Sequence, residues 1–524
     1  MTAEATDGSL SPARLSPRQI MAAMVALLIA MLLAMLDNTI VAPALPTIVG
    51  DLGGLEHLSW VTTGYILAST AATPIWGKLG DLYGRRRTFL ASIALFLVGS
   101  ALCGMAQNFG ELVGFRALQG LGAGGLMVGV LSVVAEIVPP RDRSKYQGVM
   151  MAAMPVAMIG GPLVGGFITD NLSWRWAFYV NLPLGVIALA VAWFTLRTLP
   201  KGAAGGRVDW WGAALLTTWI TALVLLTSWG GGQYAWLSAP IIGLAALTVA
   251  AFAAFVLVER RSASPIMPLS VFGNRNFSLA GALAFLSGFA MFGAVTFLPQ
   301  FQQFVQGASA TNSGLLLMPM MIAAMVVSIA GGTVISRTGR YKTFLVAGAA
   351  LMAVGLGLFA TMDPSTSSLV SGLFMVPLGI GLGCLMQTTT LLAQSSAPLK
   401  DVGAATGAST FLRNMGGSIG VSVLGSVYAS ALTAKLGAGG GAGGSAQSMT
   451  PQALRKLPAA VQHLFASAVT HGVVEVFAVA AIVAACGVVV GLLVKQVPLR
   501  GFGGGATKVS SSGTEPRVEE EVAV

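Results

Sequence analysis

The chain has 524 residues, of which 55% are hydrophobic and 9% are charged, and its mean hydropathy is +0.80. Soluble globular proteins carry about 25% charged residues, so this composition excludes an ordinary soluble domain. The formal net charge is +10. Because the basic residues lie in short segments between apolar runs, we expect them to face an anionic membrane surface and not nucleic acid.

Apolar runs long enough to cross a bilayer recur along the whole chain. Polar, charged or Gly/Pro-rich breaks divide these runs into fourteen predicted spans, so we expect an all-α polytopic membrane protein. The approximate ranges are 19–46, 57–79, 87–106, 110–137, 145–169, 174–196, 208–228, 236–258, 276–303, 312–335, 341–361, 367–393, 402–432 and 466–494.

The distribution of basic residues predicts the orientation of these spans. An even number of spans places both termini on one side, and with the N-terminus inside, the inner segments hold 23 of the 29 Lys and Arg residues. The outer segments hold only Arg175, Lys435, Arg455 and Lys456. Basic residues concentrate on the cytoplasmic side, so we expect both termini in the cytoplasm. The excess of Arg over Lys suggests a high-GC bacterium, and hence a bacterial cytoplasmic membrane.

An internal repeat divides the chain into two halves. The segment "GKLGDLYGRRRTFL" (77–90) reappears as "GTVISRTGRYKTFL" (332–345), and a glycine series in 120–148 reappears in 379–407. Two matches at nearly the same offset indicate duplication. They predict six-helix bundles at 19–200 and 263–500, with two additional helices in 201–262. Parallel halves of this kind are a plan of secondary transporters, with the substrate path between them.

Three segments outside the predicted spans lack the pattern of a folded domain. They are the N-terminal tail 1–18, the loop 433–465 and the C-terminal tail 501–524. The loop contains "GAGGGAGGS" and the C-terminal tail is rich in Gly, Ser and Glu. Such compositions predict flexible or disordered chain, and we place the loop outside and both tails in the cytoplasm.

Five segments in chain order carry recognisable motifs. They are "LDNTIVAPALP" (36–46), "GKLGDLYGRRR" (77–87), "RALQGLGAGG" (116–125), "AMIGGPLVGG" (157–166) and "WRWAFYVNLPLG" (174–185). Together they resemble the major facilitator superfamily, and in particular its fourteen-span drug:proton antiporter family. There are two departures. Ala157 stands where the antiporter motif usually begins with Gly, and Ser336 replaces the Asp of the loop motif in the second half.

The resemblance implies proton-coupled export of lipophilic, cationic drugs by a monomer that works by alternating access. The sequence contains no phosphate-binding loop for ATP and no nucleophile–base set, and its three cysteines (Cys103, Cys384 and Cys486) lie in apolar runs. We therefore expect no enzymatic activity, no metal and no cofactor, with a proton gradient as the energy source. Two alternatives stay open, namely a dedicated exporter of one endogenous metabolite or antibiotic, and a non-transporting membrane scaffold or sensor.

The loop between spans 2 and 3 is predicted to act as a conformational latch. Gly77 and Gly84 permit close approach and a tight turn, and Asp81 can pair with Arg85 or accept hydrogen bonds from a helix N-terminus across the domain interface. Arg86 and Glu136 complete the predicted cluster. The alternative is that these residues form ordinary loop salt bridges and topology signals.

Small residues in span 5 predict close helix packing. Gly161, Pro162, Gly165 and Gly166 belong to the antiporter motif, where the proline is expected to kink the helix and the glycines to allow close contact. The segment "GLGAGG" (120–125) looks like a nucleotide-binding motif, but it follows no strand and lies in an apolar helix. We interpret it as a packing motif too.

Several ionisable residues lie inside predicted spans, where a charge is costly and normally has a function. Asp37 and Arg116 lie at comparable depth in the outer half of spans 1 and 4. We predict that Asp37 binds a proton or a cation and that Arg116 modulates it, the alternative being a structural brace. His471 and Glu475, four residues apart in span 14, form either a second relay or an outer-vestibule pair.

The substrate cavity is expected to be apolar and aromatic, as sites of broad specificity usually are. The predicted lining residues are Trp60, Tyr65, Phe292, Phe297, Gln300 and Gln303. Arg413, inside span 13, is predicted to be structural, with cavity lining as the alternative. For each aromatic or amide residue the alternative is packing or contact with lipid.

Overall fold

The computed structural model describes residues 17–52, 60–151, 153–198, 208–230, 234–262, 264–267, 269–398, 401–437, 454 and 458–497. Apart from an isolated bridge between Gly230 and Tyr234, these residues form helices and the turns that connect them. Residues 1–16 of the predicted tail 1–18, the whole predicted tail 501–524 and most of the loop 433–465 lie outside the described residues.

The helices fall into the predicted order of bundle, additional pair and bundle. The N-terminal bundle consists of α1 (Pro17–Leu52), α2 (Trp60–Tyr83), α3 (Arg85–Met105), α4 (Phe109–Ile137), α5 (Pro140–Met151), α6 (Ala153–Asn171), α7 (Trp176–Tyr179) and α8 (Asn181–Thr195). The additional pair consists of α9 (Trp210–Trp229) and α10 (Ala239–Arg261). The C-terminal bundle consists of α11 (Leu269–Phe272), α12 (Arg275–Phe304), α13 (Ala310–Leu315), α14 (Met318–Thr338), α15 (Tyr341–Phe359), α16 (Ser368–Ser396), α17 (Val402–Gly437) and α18 (Ala459–Leu493).

Twelve stretches of described helix are long and apolar enough to cross a membrane. The two remaining predicted spans, 57–79 and 145–169, correspond to the 24-residue helix α2 and to α5 with α6. The count of fourteen spans therefore stays a prediction.

Large apolar side chains on the outside of the helices, such as Phe194, Trp211 and Ile482, are more than half exposed. A surface of this kind suits contact with acyl chains.

Glycines set the distance between helices in both halves, and the contacts repeat. A Cβ at Gly120 or Gly124 of α4 would clash with the backbone of α2 at Tyr65 or Ser69. In the second half, Gly379 and Gly383 of α16 meet the backbone of α14 at Met320 and Ala324. The partner positions differ by 255 residues and the glycines by 259. The sequence repeat is therefore also a repeat of packing, because small residues let two backbones approach closely.

The two bundles meet closely at one end, which we call the latch end because it carries the turn at Gly84 between α2 and α3. There a Cβ at Gly77 of α2 would lie 2.5 Å from the carbonyl oxygen of Gly403 of α17. Similarly, Gly148 of α5 packs against the backbone of Ser328 of α14. These contacts close the space between the bundles at the latch end, and a cavity lies between them farther along the helices.

Candidate functional site

A buried polar network surrounds Asp37 of α1. Arg116 of α4 forms an ion pair with it through Nη1, and the two side chains are 1% and 0% exposed. Gln119 Nε2 and Asn181 Nδ2 each donate a hydrogen bond to Asp37 Oδ1 at 2.7 Å. The same two amides donate to the Ser100 hydroxyl. Two helices, α4 and α8, thus supply three side-chain donors to one carboxylate, so its charge is compensated without water.

Arg116 connects this network to the central cavity. Its Nη1 also donates to Gln119 Oε1 at 2.8 Å, and its Nη2 donates to Asn38 Oδ1 at 3.3 Å. The guanidinium lies 4.2 Å from the centre of the Tyr65 ring, a cation–π contact. Asn38 and Tyr65 both line the cavity, whereas Asp37 does not. In this conformation Asp37 therefore lies behind these neighbours, and its role as a proton or cation site stays a prediction.

The cavity between the bundles has a volume of about 1070 Å³. Of the predicted lining residues, the structure places these on its wall: Tyr65, Phe292, Phe297, Gln300, Gln303 and Arg413. Trp60 is not among the lining residues and instead packs edge-on against Trp229 at 6.0 Å between ring centres. Apolar and aromatic walls with a few polar groups are typical of ligand sites of broad specificity.

The first additional helix, α9, forms part of the cavity wall. Ile220, Leu223, Val224 and Thr227 line the cavity, and Thr227 Oγ1 lies 3.5 Å from the Ser418 hydroxyl of α17. The sequence predicted the two additional helices but gave no reason to place one beside the substrate path. Their position means that α9 shapes the site directly.

At the latch end, Asp81 of α2 joins the two bundles. Its carboxylate accepts the backbone N–H groups of Gly403 (3.0 Å) and Ala404 (2.8 Å), in the first turn of α17, and pairs with Arg85 Nη2 at 3.2 Å. A carboxylate at a helix N-terminus also interacts favourably with the helix dipole. Asp81 lies beyond the predicted span 57–79, and burial raises the pKa of its carboxyl against the opposing effects of Arg85 and the two backbone donors.

The other predicted latch residues divide into two groups. Arg85 Nε lies 3.4 Å from Glu136 Oε2, so Asp81, Arg85 and Glu136 form one cluster. Gly84 has a φ of 90°, which explains the glycine at this turn. Arg86 instead extends over the Trp193 ring at 4.9 Å and donates to the Trp193 carbonyl. Its prediction as a member of the cluster is not supported by these contacts.

A pair of buried amides links the bundles between the latch and the cavity. Gln147 Nε2 of α5 donates to Gln394 Oε1 of α16 at 3.1 Å, and both side chains are buried. Gln394 Nε2 donates in turn to Thr406 Oγ1 and to the Leu131 carbonyl. Leu131 also lines the cavity. The amide pair thus adjoins the cavity wall through Leu131.

The antiporter-motif glycines of α6 pack against α1 beside the Asp37 network. A Cβ at Gly161 would clash with Thr39, and one at Gly165 would clash with the Ile40 carbonyl. Gly166 has no heavy atom within 4 Å of its Cβ position. The side chain of Pro162 lies outside the described residues. In the second half, Gly416 and Gly420 of α17 pack on α12 in the corresponding manner.

His471 and Glu475 of α18 form a pair at 3.0 Å between Nε2 and Oε1, but both are more than 40% exposed. They do not line the cavity and they lie away from Asp37. Among the described residues, no group of three or more His, Cys, Asp and Glu side chains is arranged to hold a metal ion.

Sequence reasoning did not single out Asn38, Ser100, Gln119 and Asn181, which complete the network. Gln119 and Asn181 lie inside two of the quoted motifs, and Asn38 follows Asp37 directly. The available signal was a polar side chain within an otherwise apolar helix, because such groups need a partner in the membrane. Which partner each one has depends on how the helices pack.

Two repeated helix bundles around a central cavity, with a buried ion pair behind its wall, are the plan of secondary transporters. Residues 27–421 match the Major Facilitator Superfamily, and the chain belongs to that family. The family assigned from the motifs is thereby confirmed.

Relatives and a solved structure agree with this assignment. The chain is 41% identical over 510 residues to an uncharacterised MFS-type transporter of Mycobacterium tuberculosis, covering 96% of this chain and 74% of that protein. It is 40% identical over 400 residues to the multidrug transporter protein MdtP of Bacillus subtilis, covering 76% and 73%. The fold resembles that of the proton:xylose symporter XylE (TM-score 0.61, 14% identity), covering 93% of this chain and 98% of that one.

Proposed function

We propose that this protein is a proton-coupled exporter of amphipathic compounds that works by alternating access. The observation that carries the proposal is the buried Asp37–Arg116 pair, which contacts two cavity-lining residues, Asn38 and Tyr65. The multidrug transporter among its relatives supports the export of foreign compounds. The proposal includes fourteen spans, a monomer in a bacterial cytoplasmic membrane and both termini in the cytoplasm.

The coupling step follows from the chemistry of the buried pair. A deprotonated Asp37 holds Arg116, Gln119 and Asn181 together. A proton on Asp37 removes the ion pair and releases the Arg116 guanidinium toward Asn38 and Tyr65, where a substrate would lie. The proton on Asp37 and the substrate in the cavity thus act on the same side chain, Arg116. One inward proton supplies about 2.3 kcal/mol per 100 mV, with a further contribution from the pH difference.

Contacts at the latch end control access to the cavity from that side in the proposed cycle. Asp81 and the Gln147–Gln394 bond hold the latch end closed, and the orientation predicted from Lys and Arg places that end in the cytoplasm. In the proposed cycle, protonation of Asp37 precedes the release of these contacts, and the bundles then rock about the cavity. The cationic character of the substrates, which the family resemblance implies, stays a prediction. Because no Asp or Glu lines the cavity among the described residues, we propose export of amphipathic compounds without that restriction.

The test is exchange in proteoliposomes that contain a pH-sensitive dye and hold an imposed pH gradient. Addition of a substrate should dissipate the gradient with the wild-type protein and not with Asp37→Asn. Asp363→Asn, the same change on an exposed loop, is the matched control. If the wild type never dissipates the gradient with any exported compound, the antiport proposal is wrong.

Asp37→Asn leaves Arg116 without its buried carboxylate partner, so the variant could fail to transport because it is destabilised. Removing one member of a buried pair costs about 3–5 kcal/mol, because the other charge is left uncompensated. The double variant Asp37→Asn/Arg116→Gln removes both charges and should be more stable than Asp37→Asn. It should still fail to move protons, which separates loss of the proton carrier from loss of the fold.

A further inference from the structure

Among the described residues, two buried arginines lie inside predicted spans, and the side chains around them differ. Arg116 has a carboxylate partner, as described above. None of the ion pairs seen between described residues includes Arg413 of α17. Arg413 is 7% exposed, and its Nη2 donates only to neutral oxygens, namely the Met386 carbonyl (3.1 Å) and the hydroxyls of Thr389 (3.0 Å) and Thr390 (3.2 Å).

The guanidinium of Arg413 has further hydrogen-bonding capacity. Its Nε is buried and has no hydrogen-bond partner among the described residues. The side chain also lies on the cavity wall. A buried cation that contacts only neutral oxygens keeps its full charge, and such a charge is costly in a low-dielectric site unless an anion or water compensates it.

The rest of the wall carries no anion that could compensate this charge. Among the described residues that line the cavity, Arg413 is the only charged side chain, and no Asp or Glu is present. The remaining lining is apolar, aromatic or neutral polar. Asn414 and Ser418, on the same helix as Arg413, add polar groups to the wall, and Phe292 of α12 and Tyr428 of α17 add aromatic surface to it. The cavity therefore has a positive potential at one place and apolar surface around it.

We propose that the cavity binds amphipathic organic anions, with a carboxylate or sulfonate on Arg413 and the apolar body against the aromatic wall. Arg is suited to this recognition because its planar guanidinium donates two parallel hydrogen bonds to such a group. This inference rests on the proposed export function, since it names the substrate class of the same cavity. Neutral amphiphiles would bind through the apolar wall alone, and cations would be disfavoured by Arg413.

The test compares two fluorescent probes that differ in one group. The first is 1-anilinonaphthalene-8-sulfonate, an anion, and the second is N-phenyl-1-naphthylamine, the same skeleton without the sulfonate. Binding is measured by fluorescence titration of the purified protein in detergent. In Arg413→Gln, the Kd of the anion should rise about tenfold or more, because a hydrogen bond to a charged group contributes about 1.5–3 kcal/mol. The Kd of the neutral probe should change less than about twofold, since it does not use the charge.

Two further variants show whether charge at this position is the cause. Arg413→Lys keeps the charge but loses the planar guanidinium, so it should recover part of the affinity for the anion. Arg340→Gln removes an exposed arginine at a distance from the cavity and should leave both Kd values unchanged. If Arg413→Gln does not fold, the comparison between wild type, Arg413→Lys and Arg340→Gln still tests the proposal.

Three outcomes would overturn the proposal. Equal weakening of both probes in Arg413→Gln would show that Arg413 only braces α16 against α17. Tighter binding of a cationic probe, such as trimethylammonium-diphenylhexatriene, than of the sulfonate would reverse the assigned substrate class. The titration is repeated with chloride in place of gluconate as the buffer anion. If millimolar chloride displaces the sulfonate probe, Arg413 binds an inorganic anion instead.

These measurements are independent of the proton-coupling test. Binding in detergent needs no gradient, so a protein that binds the sulfonate through Arg413 but never moves protons would contradict only the antiport. Conversely, exchange of protons for neutral compounds with no preference for the sulfonate would contradict only the anion site.

Discussion

At the residue scale, the structure distinguishes two arginines that look alike in the sequence. Arg116 is held by Asp37 and Gln119, and its charge is neutralised within the wall. Arg413 contacts neutral oxygens and lies on the wall itself. The first belongs to the proposed proton step and the second to the proposed substrate step. Both assignments depend on partners that come from other helices.

Gln119 should contribute more to stability than its neutral side chain suggests. It donates to Asp37 and accepts from Arg116, so Gln119→Leu removes hydrogen bonds to two charged partners. Each such bond contributes about 1.5–3 kcal/mol, so we expect a loss of about 3 kcal/mol or more in the free energy of unfolding. Denaturant unfolding in detergent measures it. Gln107→Leu, the same change at an exposed position, should stay within about 0.5 kcal/mol. Equal stability of the two variants would contradict the role given to Gln119.

At the element scale, glycine contacts fix where α1 and α17 lie relative to their neighbours. α6 packs on α1 through Gly161 and Gly165, and α17 packs on α12 through Gly416 and Gly420. In the N-terminal bundle this contact lies within one helical turn of Asp37. The spacing of α1 and α6 therefore sets the position of the carboxylate, so we expect the antiporter motif to act on the proposed coupling through packing.

Adjacent glycines in α6 allow a matched test of this packing. A Cβ in Gly165→Ala would clash with the Ile40 carbonyl, whereas one in Gly166→Ala has no heavy atom within 4 Å. We expect Gly165→Ala to lose about 1–3 kcal/mol of stability through overpacking and to leak protons or export slowly. Gly166→Ala should transport normally and be up to about 1 kcal/mol more stable, because Ala favours helix. Thermal unfolding and proteoliposome exchange measure both effects. Indistinguishable variants would remove the link between the motif and coupling.

At the scale of the whole molecule, closure at the latch end defines the conformation. Asp81 bonds the first turn of α17, Gly148 packs against Ser328, and Gln147 bonds Gln394. All three contacts join the N-terminal bundle to the C-terminal bundle. In the proposed alternating-access cycle, the opposite orientation of the bundles requires all three contacts to separate. We therefore expect each contact to stabilise the present state against the open one.

Weakening the latch should expose buried residues at the interface between the bundles. Asp81→Asn loses the ion pair to Arg85 and one of the two side-chain oxygens that accept backbone N–H groups of α17, so the closed population should fall about tenfold relative to the open one. The readout is the rate at which a maleimide labels Ser328→Cys, a buried position on α14, with Cys103, Cys384 and Cys486 replaced by Ser.

Asp363→Asn in the same cysteine background is the control, since Asp363 lies on an exposed turn and contacts its own loop. Labelling should be faster only in Asp81→Asn. If labelling is unchanged in both variants, the cluster of Asp81, Arg85 and Glu136 forms ordinary salt bridges and is not a latch. That is the alternative that the sequence left open.

The sequence by itself determined the class of protein and much of its plan. Apolar runs, the distribution of basic residues and the repeated segments follow from local composition, and the motifs identified the family. It also marked Asp37 and Arg116 as unusual, because charges inside apolar spans are rare. The observed helices follow the predicted spans closely, although α1 extends to Leu52, beyond the predicted end at 46.

Only the tertiary structure decided which way each helix faces. In a membrane both the lipid side and the protein side of a helix are apolar, so hydrophobic periodicity does not fix its rotation. For this reason the sequence did not show that Asp37 lies behind the cavity wall, that Arg86 turns to Trp193, or that α9 lines the cavity. It also left open whether Arg413 is structural or faces the substrate. Contacts between residues far apart in the chain settled those positions.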